Sequence, residues 1–388
     1  MRLVVVSHTP HHRDGDHIVG WGGTVRELDH LAGLVDELVH VAPLHPDPAP
    51  AEARPYTAAN VRLVPVTPSG ADGLAGKVSV LRCVPGYWRV IAKELATADA
   101  VHVRCPANVA LVGLAVLATR RQPSIRWYKY AGDWSGGRME PLSYCLQRLW
   151  LRRCRLAHRG VVTVNGTWDR QPPHVLSFDN PCLTDLERQA AARTAHDRRL
   201  SSPVRLLFAG RLGGGKRPEL ALRTLDDLVR SGIDASLHLV GDGEQRSALE
   251  HETTALGLRD RVTFDGWLPR RDLDERYADA HLLLVPSRTE GFPKVIAEAL
   301  AFGTVPVVAN LPAAAQMLSK EGCGSVVPQS DPVAWSAAVR RYTNDPSGWK
   351  HESQQAVDLA RRFTYETYVG RVRSLISVPG LEEQAPDG

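Results

Sequence analysis

The stretch "VRLLFAGRLGGGKRPELALRTLDDLVRSG", residues 204–232, holds a complete strand, turn and helix. The apolar run at 204–209 predicts a buried β-strand, and the three consecutive glycines at 213–215 predict a turn that lets the backbone approach a ligand closely. Pro218 suits the first position of the helix that follows. Residues 235–240 then read as a second strand. This order predicts a β-α-β unit in a parallel sheet.

The same alternation of strands and helices runs along both halves of the chain, which are separated by a polar segment at 184–203. We therefore predict an α/β protein with two Rossmann-like, doubly wound parallel-sheet domains that face a deep cleft. The predicted ranges are an N-terminal domain at 1–185, a linker at 186–203, a C-terminal domain at 204–360, a helix at 361–378 that could pack back on the first domain, and a flexible tail at 379–388.

Near the N-terminus, the pattern predicts a first strand at 2–7, a glycine-rich loop at 14–23 and an amphipathic helix at 24–38. A two-domain dehydrogenase is the alternative for such a fold. It is disfavoured because no Gly-x-Gly-x-x-Gly fingerprint follows the first strand.

The composition is that of a globular protein, with 43% hydrophobic and 23% charged residues among 388. A formal charge of +4 is too small for a dedicated nucleic-acid binder but is compatible with anionic ligands. The six cysteines contain no CxxC pair, which disfavours a zinc site or a disulfide framework. The first apolar run is too short for a signal peptide, and the longest, at 109–118, is about half a membrane span. We therefore expect a cytoplasmic location.

The glycine turn after the strand at 204–209 carries two cations, Arg211 and Lys216. The start of the next helix adds partial positive charge and free backbone N–H groups. Together these features predict a cradle for a diphosphate. It is not a Walker P-loop, because the Gly-Lys-Ser/Thr sequence is missing. A flexible surface turn with two solvated cations is the alternative.

Three further turns, at 240–245, 265–270 and 287–293, also follow predicted strands, so all four should meet at one edge of the sheet. In the last of them, Gly291, Phe292 and Pro293 would present backbone groups to a ligand. Glu298, in the helix that follows, is suited to bind the vicinal diol of a ribose, and Glu290 to bind a second set of hydroxyls. Solvent exposure of Glu298, a lone glutamate on a helix, is the alternative.

Three motifs in the second half, taken together, resemble a known family: "AGRLGGGKRPELA" (209–221), "LVGDGEQRSALE" (239–250) and "EGFPKVIAEALAFGTVPVV" (290–308). In this order and spacing, over about 204–312, they resemble the signature of retaining glycosyltransferase family 4, which has the GT-B fold. The first domain is similar more weakly, through "GWGGTVRELDHLAGLVDELVHV" (20–41). The resemblance implies a nucleotide-sugar donor held mainly by the C-terminal domain, and we expect a UDP- or GDP-sugar. It also implies a small-molecule or glycan acceptor held mainly by the N-terminal one.

The resemblance assigns roles to individual positions. Arg211 and Lys216 would bind the diphosphate and stabilise the leaving nucleotide without a metal ion or other cofactor, and Glu290 would contact the transferred sugar. The donor set that it implies is Gly22, Gly23, Gly210, Gly241, Gly266, Trp267, Gly291, Phe292, Pro293 and Glu298.

One departure concerns the acceptor side. Many family members end an N-domain strand in His-Gly, whereas this chain has Ala131 and Gly132 in "WYKYAGDW". Asp133 is our candidate for orienting the acceptor. The alternative source of contacts is the histidine-rich stretch at 8–17, with His11 and His12 as the candidates from it.

For the mechanism, we expect front-face attack by the acceptor hydroxyl, with the departing phosphate oxygen taking its proton and the anomeric configuration retained. A GT-B sugar phosphorylase and a non-catalytic sugar-nucleotide-binding protein are the alternatives. No nucleic-acid partner is expected. The basic amphipathic segment "QRLWLRRCRLAHR" (147–159) leaves peripheral contact with the inner face of the membrane as a less favoured alternative.

Overall fold

The computed structural model describes residues 1–70, 73–136, 140–153, 160–168, 170–328 and 331–376. Its internal contacts divide the chain into two compact units. Unit 1 comprises Met1–Asp179 together with the residues from Tyr368 on, and unit 2 comprises Asn180–Thr367. The C-terminal helix α13 (Tyr365–Ile376) thus begins in unit 2 and continues in unit 1.

Within the described residues, unit 1 is built on a seven-stranded sheet whose neighbouring strands all pair in parallel, in the order β10-β9-β8-β7-β1-β4-β6. The chain reverses its direction of winding between β1 and β7, which makes their carboxyl ends the switch point of the sheet. The elements in chain order are β1 (Arg2–Val6), β2 (His11–Asp14), β3 (His17–Trp21), α1 (Gly22–Ala32), β4 (Glu37–Pro43), β5 (Ala53–Pro55), β6 (Val61–Val66), α2 (Gly73–Leu95), β7 (Ala100–Cys105), α3 (Asn108–Ala118), β8 (Ile125–Tyr130), α4 (Leu142–Arg153), β9 (Val161–Val164) and β10 (Val175–Ser177).

The predicted glycine-rich loop at 14–23 is instead an antiparallel hairpin of β2 and β3, extended by β5. Its turn is tight because Gly15 adopts a φ of +58°. The prediction weighted the glycines above the β-branched pair Ile18 and Val19 in "HIVGW", which favours a strand. The predicted helix at 24–38 is also too long, because α1 ends at Ala32, before Gly33.

The core of unit 1 lies on both faces of its sheet. One face buries strand residues such as Val4 and Val103 against α2 and α3. The other face buries Leu3 and Trp127 against α1 and α13, the latter contributing Tyr368, Val372 and Ile376.

Unit 2 has a sheet of six described strands in the order β13-β12-β11-β14-β15-β16, again with every neighbouring pair parallel. Its switch point lies between β11 and β14. The elements in chain order are α5 (Asp185–Ala195), β11 (Val204–Ala209), α6 (Pro218–Arg230), β12 (Ala235–Val240), α7 (Arg246–Ala255), β13 (Val262–Gly266), α8 (Arg270–Asp279), β14 (Leu282–Val285), α9 (Lys294–Ala301), β15 (Val305–Ala309), α10 (Pro312–Glu321), β16 (Ser325–Val327), α11 (Pro332–Asn344) and α12 (Pro346–Leu359). The predicted doubly wound α/β fold is confirmed in both units.

Among the described residues, no helix combines the length and apolar character needed to cross a membrane.

Candidate active site

Two of the four predicted loops meet at the switch point of unit 2. The glycine turn follows β11 and the glutamate loop follows β14, and these two strands are neighbours in the sheet. The backbone N–H of Arg288 donates to the carbonyl oxygen of Gly215 at 2.8 Å. The two loops are therefore joined directly by a backbone hydrogen bond, which does not depend on the side chains at these two positions.

This junction brings together Lys216 and Glu290, two residues that the sequence assigned to the chemistry. Lys216 Nζ lies 2.8 Å from Glu290 Oε1, and the Glu290 side chain is 19% exposed. The two residues are 74 positions apart in the chain. The fold therefore sets a cation and a carboxylate side by side at the edge where a ligand of a doubly wound sheet binds.

Close backbone packing holds the remaining turns at the same edge. A side chain on Gly241 would collide with the carbonyl oxygen of Gly210, and Gly241 has a φ of +122°. The N–H of Gly241 donates to the carbonyl oxygen of Gly266 at 2.8 Å. Position 241 therefore requires glycine, because a side chain would clash and because the backbone has a positive φ. The turns after β11, β12 and β13 form one connected surface.

The other predicted cation, Arg211, has a partner that sequence reasoning missed. Its Nε and Nη2 both lie 3.1 Å from Glu244 Oε2. The second oxygen of Glu244 accepts the backbone N–H of Gly214 at 2.9 Å. The only sequence signal was an acidic residue in "VGDGEQ", at the same sheet edge as the glycine turn.

Glu298 lies on α9, and its carboxylate has two internal partners. Arg270 Nη1 donates to Oε1 at 2.8 Å, and the hydroxyl of the buried Tyr277 donates to Oε2 at 2.9 Å. Burial alone would lower the pKa of Arg270, but Glu298 and Asp274 raise it above its ordinary value. A ribose diol would have to share this carboxylate with Arg270 and Tyr277. Ribose binding by Glu298 stays a prediction.

The neighbouring loop residues are placed as follows. Trp267 directly follows Gly266 and is 58% exposed, so its ring is open to a flat ligand. The ring of Phe292 stacks on that of Phe363, with centroids 5.3 Å apart. Pro293 immediately precedes α9, whose first residue is Lys294. Phe292 thus anchors the glutamate loop to the core, and donor contacts by these residues stay predictions.

In unit 1, His11 and His12 have internal partners that weigh against acceptor binding. His11 is fully buried; its Nδ1 lies 2.9 Å from the Thr9 carbonyl oxygen and its Nε2 lies 2.8 Å from the Tyr56 hydroxyl. His12 Nδ1 lies 2.9 Å from the carbonyl oxygen of Asp47. Both nitrogens of His11 are occupied, so contact with an acceptor would require this packing to open.

The hydrogen bonds of His11 continue into a buried chain. The Tyr56 hydroxyl also lies 2.6 Å from His40 Nδ1, and His40 Nε2 lies 2.7 Å from Ser7 Oγ. A carbonyl oxygen can only accept, so His11 Nδ1 donates to Thr9. With both histidines neutral, the Tyr56 hydroxyl donates to His11 Nε2 and accepts from His40 Nδ1. Burial lowers the pKa of His11 to about 4 and that of His40 well below its ordinary value.

We expect His11 to make folding stability fall as the pH drops from 6.5 to 5. Unfolded His11 takes up a proton below about pH 6.5, whereas folded His11 stays neutral down to about 4. The unfolded state therefore binds more protons, and the free energy of unfolding falls by about 2 kcal/mol per such histidine at pH 5. Urea unfolding at several pH values should show that the free energy of unfolding depends less steeply on pH in His11→Gln than in the wild type. His17→Gln, at an exposed histidine, serves as the control. An equal dependence of the free energy of unfolding on pH in all three proteins would contradict the role of His11.

The remaining predicted residues of unit 1 lie in tight or local structure. Gly22 and Gly23 begin α1, and a side chain on Gly22 would meet the carbonyl oxygen of Glu52 and the side chain of Arg54. Asp133 lies just after β8 and accepts the backbone N–H and the hydroxyl of Ser135. Their roles toward phosphates and acceptor stay predictions.

The sequence reading also missed a buried ionic cluster near the carboxyl edge of the unit 1 sheet. Glu27, which is 1% exposed, accepts hydrogen bonds from Arg104, Lys129 and Tyr368. The signal was present as cationic residues near the ends of two largely buried strands, Arg104 in "AVHVRC" and Lys129 in "IRWYKY". The buried Lys129 and the largely buried Arg104 share one carboxylate here.

Among the described residues, no group of three or more His, Cys, Asp or Glu side chains could hold a metal ion. Arg211 and Lys216 are the two cationic side chains that the sequence predicted at this site.

The two units, each with a doubly wound parallel sheet, define the GT-B class of fold, and solved structures support this class. Sucrose-phosphate synthase from Thermosynechococcus elongatus superposes with a TM-score of 0.67 at 20% identity, over 96% of this chain and 98% of that one. The Anabaena protein HepE, solved in complex with UDP and glucose, superposes with a TM-score of 0.66 at 17% identity, over 97% and 99% of the two chains.

Sequence comparisons identify the family to which the second half is related. Residues 195–363 match the family described as "Glycosyl transferases group 1". A D-inositol 3-phosphate glycosyltransferase of Xylanimonas cellulosilytica is 32% identical over 197 residues, which are 49% of this chain and 46% of that protein. An alpha-D-kanosaminyltransferase of Streptomyces kanamyceticus is 31% identical over 155 residues, 40% of each. The chain thus spans about half the length of these relatives, and its resemblance to GT-B glycosyltransferases is confirmed.

Proposed function

We propose that this chain is a retaining, metal-independent glycosyltransferase that moves a sugar from a nucleotide-diphosphate donor to an acceptor hydroxyl. The observation that carries the proposal is the contact of Lys216 Nζ with Glu290 Oε1 at 2.8 Å, at the switch point of unit 2. A donor bound there would find a cation for its diphosphate and, in contact with that cation, a carboxylate for its sugar hydroxyls.

The chemistry of this reaction is dominated by charge. As the glycosidic bond breaks, the sugar becomes oxocarbenium-like and the diphosphate gains negative charge. Lys216 and Arg211 would stabilise that charge more strongly in the transition state than in the ground state. Glu290 would fix the sugar through its hydroxyls. The acceptor hydroxyl would then attack from the face of the departing phosphate, whose oxygen takes the proton.

The substrate classes follow from the same site and from the relatives. A UDP- or GDP-sugar is the proposed donor, and HepE in complex with UDP and glucose supports a uridine nucleotide on this fold. The relatives named for inositol 3-phosphate and for kanosaminyl transfer support a small polar acceptor. A polysaccharide or lipid-linked intermediate is the alternative acceptor.

A donor panel tests the proposal. UDP-, GDP-, TDP- and ADP-sugars are incubated with the protein in EDTA, with and without polyol acceptors, and the released nucleotide is measured. We expect release from at least one donor, and an anomeric proton coupling constant that shows retention. An inverted product contradicts the retaining mechanism, and turnover that requires added Mg²⁺ contradicts metal independence.

The same panel separates two other functions. A GT-B sugar phosphorylase would release sugar phosphate only when inorganic phosphate is present. A non-catalytic sugar-nucleotide-binding protein would bind a donor without turnover or donor hydrolysis. The match of residues 195–363 to glycosyl transferases and the transferase names of the relatives support the transferase over both.

The proposed location is the cytoplasm, with peripheral membrane contact as the alternative. Three leucines of α4 support the alternative: Leu142, Leu146 and Leu149 are 83%, 56% and 43% exposed. The part of the predicted segment at 154–159 lies outside the described residues. Sedimentation with anionic liposomes at low salt tests for membrane contact, and a protein that stays in the supernatant excludes this alternative.

A further inference from the structure

Both cations of the candidate diphosphate cradle are paired with carboxylates. Lys216 contacts Glu290, and Arg211 contacts Glu244, so the formal charges of the four side chains cancel. The sequence resemblance gives Glu290 a role toward the sugar. It gives Glu244 none.

Glu244 binds the cradle in the way an anionic ligand would. One of its oxygens accepts from the guanidinium of Arg211, and the other accepts the backbone N–H of Gly214. The carboxylate also lies against Gly213, where a Cβ atom would overlap it. A guanidinium and a backbone N–H in a glycine-rich turn are also the donors that bind phosphate oxygens.

The surroundings of Glu244 leave it free to move away. It lies two residues before α7, its side chain is 52% exposed, and that of Arg211 is 70% exposed. Its own backbone N–H, and then Arg211 and Gly214, hold the pKa of Glu244 below its ordinary value. It is therefore ionised at neutral pH and repels an incoming phosphate.

We propose that Glu244 is an internal anion that competes with the donor diphosphate for Arg211 and the Gly214 N–H, and so sets the affinity for the donor. The inference rests on the proposed function, because it takes a nucleoside diphosphate as the ligand of this cradle. Binding of the diphosphate releases the carboxylate to solvent. Glu244 thus sets the affinity for the donor without touching the sugar.

Glu244→Gln tests the competition. Glutamine keeps the side-chain length and an oxygen that accepts the Gly214 N–H, but it removes the charge that holds Arg211 and repels phosphate. We expect UDP or GDP to bind about 10-fold more tightly to the variant, with a similar gain for inorganic pyrophosphate and less than about 2-fold for UMP or GMP. Raising the salt concentration should reduce the gain, because the effect is electrostatic.

The control variant is Glu252→Gln, which removes the same charge from α7 at a residue paired with Arg223 instead of the cradle. Isothermal titration of the wild type and both variants should show a gain for Glu244→Gln alone. Equal or weaker binding by Glu244→Gln overturns the competition and makes Glu244 a structural support of the turn. An equal gain in both variants overturns it too, because a general charge effect then explains the result.

The outcomes also separate this inference from the proposed function. A wild-type protein that binds UDP or GDP, with no gain in Glu244→Gln, leaves the glycosyltransferase proposal standing and overturns the competition. If neither protein binds UDP, GDP, TDP, ADP or pyrophosphate, both proposals are overturned. Binding that appears only in Glu244→Gln supports both.

Discussion

Replacing Lys216 by methionine is expected to lower turnover about 100-fold. A charge-assisted hydrogen bond contributes about 1.5–3 kcal/mol, and here it acts on charge that develops as the diphosphate leaves. Methionine keeps most of the side-chain volume of Lys216 but cannot donate to phosphate, and it leaves Glu290 without its cation. Steady-state kinetics with the best donor of the panel should show the loss mainly in kcat, because the interaction strengthens in the transition state.

Lys320→Met is the matched control for Lys216→Met. Lys320 is an exposed residue near the end of α10, and its loss changes the net charge by the same amount. Normal turnover is expected for the control. If Lys216→Met retains more than half of the wild-type turnover, Lys216 does not stabilise the leaving group. If only KM changes, Lys216 contributes to donor binding alone.

Replacing Glu27 by glutamine is expected to destabilise unit 1 by about 3–5 kcal/mol, because it leaves buried cations without their carboxylate. Arg104 donates to both oxygens of Glu27, at 2.6 and 3.1 Å, and Lys129 donates at 2.9 Å. Lys129 is 5% exposed, so water cannot replace the lost partner. Calorimetric unfolding should show a lower transition temperature for the variant.

A surface glutamate of the same unit provides the comparison for Glu27. Glu37 pairs with Arg2 and Arg62, but its side chain is 38% exposed. Glu37→Gln should therefore cost less than about 1 kcal/mol. The double variant Glu27→Gln with Lys129→Met should recover part of the loss, because it removes one unpaired cation. A cost below about 1 kcal/mol for Glu27→Gln would mean that the cluster rearranges or admits water.

Local patterns predicted the β11–turn–α6 unit almost to the residue. The strand ends at Ala209 and the helix starts at Pro218. Both boundaries were predictable because an apolar run, consecutive glycines and a proline at the first helical position determine local backbone structure. The meeting of Lys216 with the Glu290 loop followed from topology, since parallel strands bring their carboxyl ends to one edge. The hairpin of β2 and β3 was missed because its glycines and charged residues outnumber the β-branched pair Ile18 and Val19 that favours a strand.

The pairings of the site could not be read from local patterns. Arg211 and Glu244 are 33 residues apart, and Arg270 and Glu298 are 28 apart. Sequence spacing shows which side chains reach the same edge of the sheet, but the partner of each depends on loop packing and side-chain rotation. The same holds for Glu27, whose partners come from two strands and from the C-terminal helix.

The last helix has a consequence for synthesis of the chain. Unit 1 is discontinuous: Tyr368, Val372 and Ile376 of α13 pack in the same cluster as Leu3 and Trp127. During translation the N-terminal residues leave the ribosome first, but the helix that covers this face emerges only after all of unit 2. One apolar face of unit 1, with Glu27 beneath the future position of the Tyr368 hydroxyl, therefore lacks part of its cover until unit 2 has been made. Unit 1 is thus begun before unit 2 but can gain its last helix only after unit 2 has been synthesised.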